Sequence, residues 1–391
     1  MNAAAPKPST PLLAVQHAAR LFRLGGIVEV EENGRPRVEA VAAEAAMDES
    51  AGGLLARLPR GSVLALTGQR LISLGVGAQP EAIYALPLGR GNSAPGAIAM
   101  LADPTAPAAA DAARLLADVA RTARPAAAAV IELCKLAGLL PAAILAPEGA
   151  AIAATGERRA TVSLSAILAH RGLSAASLRP VSEARVPLAD AEEVRMVAFR
   201  PADGGPEQFA ILVGEPERQA APLARLHSEC FTGDLLGSLR CDCGDQLRGA
   251  IRRMAHEGAG VLLYLAQEGR GIGLANKLRA YMLQDSGLDT VDANHHLGFA
   301  NDERDFWAAA AMLRQLGIAR VRLLTNNPKK ITQLQQHGIE VAGRVPHVVE
   351  ANAHNRGYLL TKARRSGHML GPEDIEQQPK ARSNGARLTV V

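Results

Sequence analysis

The sequence predicts a two-domain protein of mixed α+β and α/β class. Three observations carry that prediction. The chain has 391 residues, against roughly 100–200 for a single domain. Its second half sets apolar runs (Phe209–Val213, Gly260–Ala266, Arg320–Thr325) between helical segments, and each run ends in polar, Gly or Pro residues. That is the pattern of strands with functional loops at their ends. Between the halves, Leu173–Ala189 turns to Ser, Arg, Pro and Glu without periodicity, which places a linker there. Hydrophobic residues make up 48% and charged residues 21%, so both halves can bury a core, and neither disorder nor collagen-like repetition is the architecture.

The elements follow in order. Residues 1–14 are rich in Ala, Pro and Ser and are expected to form a flexible arm. The first domain spans 15–172. Two extended runs from Ile27 flank Asn33-Gly34, the strongest short hairpin signal, and a helical stretch follows them. Ala108–Ala120 and Ala126–Leu136 have helical spacing, with Gly138 placed to stop the second helix. The linker covers 173–189 and the second domain 190–370. The polar stretch 371–391 is expected to be a disordered tail. Aromatics are only 3%, so the cores are packed with Ala, Leu, Val and Ile, and Tyr281, in polar company, stands out.

A net charge of +4 suits anionic small molecules and falls short of the clustered basic face of a nucleic-acid binder. No uncharged apolar run approaches the roughly 20 residues of a membrane span, and the N-terminus lacks the apolar core of a signal peptide. The expected location is cytoplasmic, with no nucleic-acid or membrane partner.

Three of the four cysteines, Cys230, Cys241 and Cys243, fall close together among Arg, Asp and Gly, too polar a setting for a core. Three thiolates without an obvious fourth ligand fit a catalytic zinc site, which leaves one position for water; structural sites close the tetrahedron with four. His227 as a fourth ligand would make the site structural, and both arrangements stay open here. Cys134 sits on an apolar helix and reads as a small buried hydrophobe.

Strand Val261–Leu265 runs into Gln267-Glu268-Gly269-Arg270-Gly271-Ile272-Gly273 and a helix over Leu274–Gln284. The GxGxG spacing matches neither the dinucleotide fingerprint nor a P-loop, but a Gly-rich turn opening a helix can approach phosphate. Glu268 and Arg270 beside it suit a base edge and a phosphate. In Asn301-Asp302-Glu303-Arg304-Asp305-Phe306, Asp302 could cap the following helix, whereas Arg304 in a first turn would oppose the macrodipole and so points to an anion. Lys329 and Lys330, at the next helix start after Val321–Leu324, carry the same implication or form a solvated basic turn. The set calls for metal-assisted hydrolysis of a nucleoside triphosphate.

RLHSECFTGDLLGSLRCDCGDQL, YLAQEGRGIGLANKLRAYMLQDSGLDTVDANHHLGF, NDERDF and LLTNNPKK, in this order over about 190–370, resemble the GTP cyclohydrolase II family of riboflavin biosynthesis. The resemblance implies zinc on Cys230, Cys241 and Cys243, and Mg2+ with the GTP phosphates. It implies GTP contacts from Arg225, Leu226, His227, Ser228, Glu229, Gln246, Glu268, Gly269, Arg270, Thr290, Thr325 and Lys330. Asp302 matches the proposed proton acceptor, Arg304 the proposed nucleophile towards the α-phosphate, and Tyr281 the tyrosine needed for ring opening. The implied reaction opens the imidazole ring of GTP and releases formate and pyrophosphate, leaving 2,5-diamino-6-(5-phosphoribosylamino)pyrimidin-4(3H)-one. A homodimer is expected. A guanidinium stays protonated at any ordinary pH, so a charge-stabilising role for Arg304 is at least as compatible with its chemistry as a nucleophilic one.

The first half resembles, more weakly, 3,4-dihydroxy-2-butanone 4-phosphate synthase in framework segments such as LAGLLPAAIL. Where that family carries acids for magnesium, this hairpin reads Glu31-Glu32-Asn33-Gly34-Arg35-Pro36, and where it has His-Thr-Glu, this chain has Ala126-Ala127-Ala128. Alanine neither binds metal nor moves a proton, so synthase activity is expected to be absent.

Overall fold

The computed structural model describes residues 10–47, 52–89, 92–106, 115–116, 118–122, 124–153, 159–348 and Arg365. Among them are two seven-stranded sheets, one in each half of the chain. The mixed two-domain class expected from sequence is what the chain adopts.

The first sheet contains β1 (Ile27–Glu31), β2 (Val38–Ala42), β3 (Val63–Thr67), β4 (Ile83–Pro87), β5 (Ala120–Arg121), β6 (Ala142–Leu145) and β7 (Arg159–Ser163), in the order β5-β4-β3-β6-β2-β1-β7. The Asn33-Gly34 turn does join an antiparallel pair, with Val30 opposite Val38 and Gly34 at φ +76°. β2 and β6 are buried along their whole length, which is why they read as continuous Ala/Val/Leu/Ile runs without alternation. Helices α1 (Thr10–Arg23), α2 (Gly68–Ser73), α3 (Pro95–Ala102), α4 (Pro125–Leu136) and α5 (Leu164–Ser177) complete this half. Phe22 of α1, Val130 and Leu133 of α4 and Ile167 of α5 pack with Val28 and Val30 on one face; Ile98 and Leu101 of α3 pack with Leu64 and Leu66 on the other. Gly138, at φ +70°, follows α4 as expected of a helix stop.

The second sheet contains β8 (Arg179–Arg185), β9 (Val194–Arg200), β10 (Gln208–Val213), β11 (Leu223–Ser228), β12 (Gly260–Leu265), β13 (Arg320–Leu324) and β14 (Glu340–Val345), in the order β14-β13-β11-β12-β10-β9-β8. β14, β13, β11 and β12 run parallel, and β10, β9 and β8 continue antiparallel. Helices α6 (Cys243–Glu257), α7 (Gly273–Asp285), α8 (Thr290–His296), α9 (Trp307–Gln315) and α10 (Pro328–Gln336) connect them. The carboxyl ends of β11, β12 and β13 therefore open side by side, the place where parallel sheets gather ligand groups.

Several boundaries differ from the sequence expectation. Residues 10–14, read as part of an arm, begin α1, because Pro is compatible with a first helical turn. The stretch 173–189, read as a linker, holds the end of α5 and all of β8, which belongs to the second sheet. Most of the helix expected over Ala108–Ala120 lies outside the described residues, and Ala120 belongs to β5. The expected tail 371–391 also lies outside them. No helix among the described residues is long and apolar enough to cross a membrane.

The halves pack together. Leu140 of the first shares an apolar cluster with Ile272, Ala280, Leu283, Leu297 and Phe299 of the second. Thr67 Oγ1 donates to Gly298 O at 2.8 Å and Arg70 NH1 to His296 O at 3.1 Å.

Candidate active site

The cleft at the carboxyl ends of β11, β12 and β13 gathers nearly all the residues singled out from sequence. Cys230 lies two residues past the end of β11, and a π-helical turn, Phe231–Leu235, follows it. Cys241 precedes α6 and Cys243 opens it. The three sulfurs lie within 4.8 Å of one another, and Cys230 Sγ is 3.7 Å from Cys241 Sγ. A disulfide would need about 2.05 Å, whereas zinc–sulfur bonds of about 2.3 Å at the tetrahedral angle separate two sulfurs by about 3.8 Å. The thiols thus fit a zinc ion.

Gly233 shows how tightly they are cradled. A Cβ on it would lie 2.7 Å from Cys241 Sγ and 3.0 Å from Cys230 Sγ. Its N–H donates to Cys230 Sγ at 3.3 Å. Hydrogen bonds from Cys241 and Cys243, then from Lys277, push Cys230 far down, while Cys241 and Cys243 are pushed up.

His227 is not part of the sulfur cluster. Its Nε2 lies 3.1 Å from both carboxylate oxygens of Asp234, and its ring stacks on Tyr264 with centroids 5.6 Å apart. Tyr264 OH donates to the same carboxylate at 2.9 Å, and so does Cys230 N at 3.0 Å. Asp234 therefore ties the imidazole, β12 and the first cysteine together. Among the described residues the three sulfurs alone form the cluster, and His227, engaged with Asp234, does not take the fourth-ligand place left open by the sequence.

Lys277, on α7, reaches across the cluster. Its Nζ donates to Cys230 Sγ at 3.1 Å, Glu268 Oε1 at 3.0 Å and Thr232 Oγ1 at 2.9 Å. Burial lowers its pKa, but Cys230, Tyr281 and Glu268 outweigh that and hold the ammonium charged. Glu268 also accepts from Phe231 N at 2.7 Å. Tyr281, one turn beyond Lys277, lies under Arg240, whose guanidinium carbon is 4.8 Å from the ring centroid. Burial pushes the Tyr281 phenol up, so it remains protonated at neutral pH. Glu229 is pushed up too, by burial and then by the nearby Glu268.

The Gly-rich turn leads directly into α7, which begins at Gly273. Gly269, Arg270 and Gly271 all have positive φ, and Arg270 at +62° is the one non-glycine residue so placed among the described residues. Such a conformation costs an L side chain about 1–3 kcal/mol. Arg270 NH1 is held 3.3 Å from Asn301 Oδ1.

Asp302 and Arg304 correct two expectations. Neither lies in the helix, because α9 begins at Trp307 with Phe306 before it. Asp302 is therefore no cap, and Arg304 opposes no dipole. Arg304 instead donates Nε to Asp302 Oδ1 at 2.8 Å and NH2 to Oδ2 at 2.7 Å, with NH1 to Ser228 Oγ at 3.2 Å. Burial would raise the Asp302 carboxyl, but the Arg304 guanidinium outweighs it and holds the group at about 2.

The remaining positions divide. Arg225 is buried, donates to Leu324 O at 3.0 Å and to Gln246 Oε1, and burial lowers its pKa to about 10. Lys330 is likewise buried and donates to Leu226 O at 2.7 Å. Thr325 Oγ1 accepts from Asn327 N at 3.0 Å, and Thr290 opens α8 on the cleft wall. Leu226 is an exception: its side chain is fully buried in β11 and takes no part in the cleft lining, so only its backbone serves the site. Sequence reasoning missed Lys277, Asp234 and Gly233. Lys277 could have been found as the helical i, i+4 neighbour of Tyr281.

The family model of GTP cyclohydrolase II matches residues 179–346. A GTP cyclohydrolase-2 of Azospirillum brasilense is 48% identical over 374 residues, covering 94% of this chain and 97% of its own. The enzyme of that name from Citrobacter koseri is 53% identical over 194 residues, 50% of this chain and 98% of its own. Among solved structures, a two-domain 3,4-dihydroxy-2-butanone 4-phosphate synthase from A. baumannii aligns over 80% of this chain and 93% of its own, at 16% identity and a TM-score of 0.28.

Proposed function

The chain belongs to the GTP cyclohydrolase II family, and from that membership we propose zinc-dependent hydrolysis of GTP, with formate and pyrophosphate released and 2,5-diamino-6-(5-phosphoribosylamino)pyrimidin-4(3H)-one formed. This is the first step of riboflavin biosynthesis. The observation that carries the reading is the convergence of Cys230, Cys241 and Cys243, with sulfurs within 4.8 Å of one another, on a cleft walled by Arg225, Arg270, Arg304 and Lys330.

Zinc held by the three cysteines would supply a water of lowered pKa for hydrolysis of the purine ring. The Lys277 ammonium bridges the cluster to the cleft, donating to Cys230 Sγ and to Glu268 Oε1. Tyr281, protonated at neutral pH, can hold a proton against a nitrogen of the opening ring. Arg304 is a charged guanidinium engaged with a carboxylate, which favours stabilisation of phosphate charge over nucleophilic attack. An arriving α-phosphate would compete with Asp302 for Arg304. Once released from its guanidinium, the carboxylate rises from about 2 and gains basicity, so substrate binding would activate the proton acceptor. Mg2+ would enter with the GTP phosphates rather than in a protein cage.

We assign residues 15–172 to a domain without synthase activity. Its hairpin acids are engaged by neighbours: Arg37 pairs with Glu29 and Glu31, each at 2.7 Å, and Arg35 with Glu32 at 3.5 Å. Ala126 and Ala127 are buried in the first turn of α4 and offer no polar group. A homodimer is supported by the exposed apolar side chains Leu235, Leu236 and Leu239 near the site.

The test is an assay of the purified full chain with GTP, zinc and Mg2+, following formate and the product by mass spectrometry, with ribulose 5-phosphate offered separately. Formate release with the diaminopyrimidine product, and no turnover of ribulose 5-phosphate, is expected. Intact GTP, or a product retaining the formyl group, would refute the proposed reaction.

A further inference from the structure

Segment 301–305 joins α8 to α9 without regular structure, yet it carries Asp302 and Arg304. Its side chains divide by alternation. Arg304 turns to the cleft and Ser228, with Asp302 paired to its guanidinium. Glu303 and Asp305 turn the other way, to the first half of the chain. Lys135 Nζ, from the last turn of α4, donates to Glu303 Oε1 at 2.8 Å and to Oε2 at 2.9 Å. This pair is largely shielded, with side-chain exposures of 17% and 10%. Arg171 of α5 donates to the Glu303 backbone carbonyl at 3.2 Å, lies 3.6 Å from Asp305 and is itself held by Glu132 at 2.7 Å. Gly271 closes the other side: a Cβ there would lie 3.1 Å from the Glu303 carbonyl carbon. Glu303 Oε1 also accepts from the N–H of Ala300, just before the segment, at 2.8 Å.

We infer that Lys135 and Arg171 are positioning residues for the GTP reaction, and that the first half of the chain acts as a strut fixing the segment that bears Asp302 and Arg304. Neighbouring side chains of a short segment share one backbone, so fixing one set constrains the other. Clamping Glu303 and Asp305 therefore sets the angle at which Arg304 and Asp302 meet the substrate, and a displacement of about 1 Å there can cost a hundredfold in rate. A domain without synthase chemistry acquires a use that requires only two cations and a rigid pair of helices. The kinetic part of this inference rests on the function proposed above; the structural part does not.

The test compares the full-length wild type with Lys135→Met, Arg171→Met, the double variant and the conservative Lys135→Arg. Hydrogen–deuterium exchange of the peptide covering 300–306 and steady-state GTP turnover are read on the same preparations, with zinc content and melting temperature as folding controls. The double variant should exchange that peptide at least tenfold faster and lose at least tenfold in kcat at unchanged zinc content, and Lys135→Arg should restore most of both. The reciprocal exchange Lys135→Glu with Glu303→Lys gives a second reading that does not depend on the double variant folding. Unchanged exchange and unchanged kcat in a folded double variant would overturn the inference. Faster exchange with no GTP turnover by the wild type would uphold the strut and refute the proposed function instead.

Discussion

Arg304 grips Asp302 through two parallel hydrogen bonds, Nε to Oδ1 at 2.8 Å and NH2 to Oδ2 at 2.7 Å. The fork-to-fork geometry needs a planar guanidinium, and lysine cannot reproduce it. Arg304→Lys should lose at least a hundredfold in GTP turnover although it keeps the charge. Steady-state kinetics at saturating GTP checks this. Near-normal kcat would mean that charge alone suffices.

The same pair sets a pH dependence of stability. Asp302 falls from its usual 3.8 to about 2 in the folded chain. A lowered carboxylate pKa stabilises the fold above the unfolded value, and the contribution is lost as pH falls through the folded one. The drop from 3.8 to about 2 corresponds to about 2.5 kcal/mol. The stability difference between wild type and Asp302→Asn should hold steady from pH 5 to 8 and shrink below pH 4, as read from urea midpoints. A difference that varies between pH 5 and 8 would contradict the assigned partner.

Gly233→Ala should be among the most damaging small changes in the chain. The added methyl would enter the thiol cluster 2.7 Å from Cys241 Sγ. We expect loss of most bound zinc together with a lower melting temperature, both measured on the purified protein. Full zinc content in this variant would show that the turn can yield.

Arg270→Gly separates strain from function. Glycine relieves the positive φ of +62° and should leave stability unchanged or raised by about 1 kcal/mol. Removing the guanidinium should raise the KM for GTP at least tenfold. A loss of stability would mean that the Asn301 contact outweighs the backbone strain.

Much of this site was legible in the sequence, for a physical reason. Thiols, arginines and glycines crowded into short polar stretches have few structural uses, so Cys230, Cys241, Cys243, Glu268 and Arg270 could be singled out, and the fold gathers them on one cleft. β8 did not, because it is exposed along its length and has no apolar alternation to read. The N-terminal turn of α1 was hidden by Pro11, which breaks helices elsewhere but not at their start. Arg304 was misplaced by three residues, enough to turn an ion pair with Asp302 into an imagined conflict with a helix dipole. Lys277 and Lys135 were illegible for a different reason: each matters through a partner far along the chain, Cys230 and Glu303, that no local pattern points to.

The most direct test is X-ray absorption at the zinc edge of the full-length protein. Three sulfurs at about 2.3 Å and one oxygen at about 2.0 Å are expected, with zinc lost and formate release abolished in Cys241→Ser. A fourth protein ligand such as the His227 imidazole, or full activity in a preparation without zinc, would contradict the account.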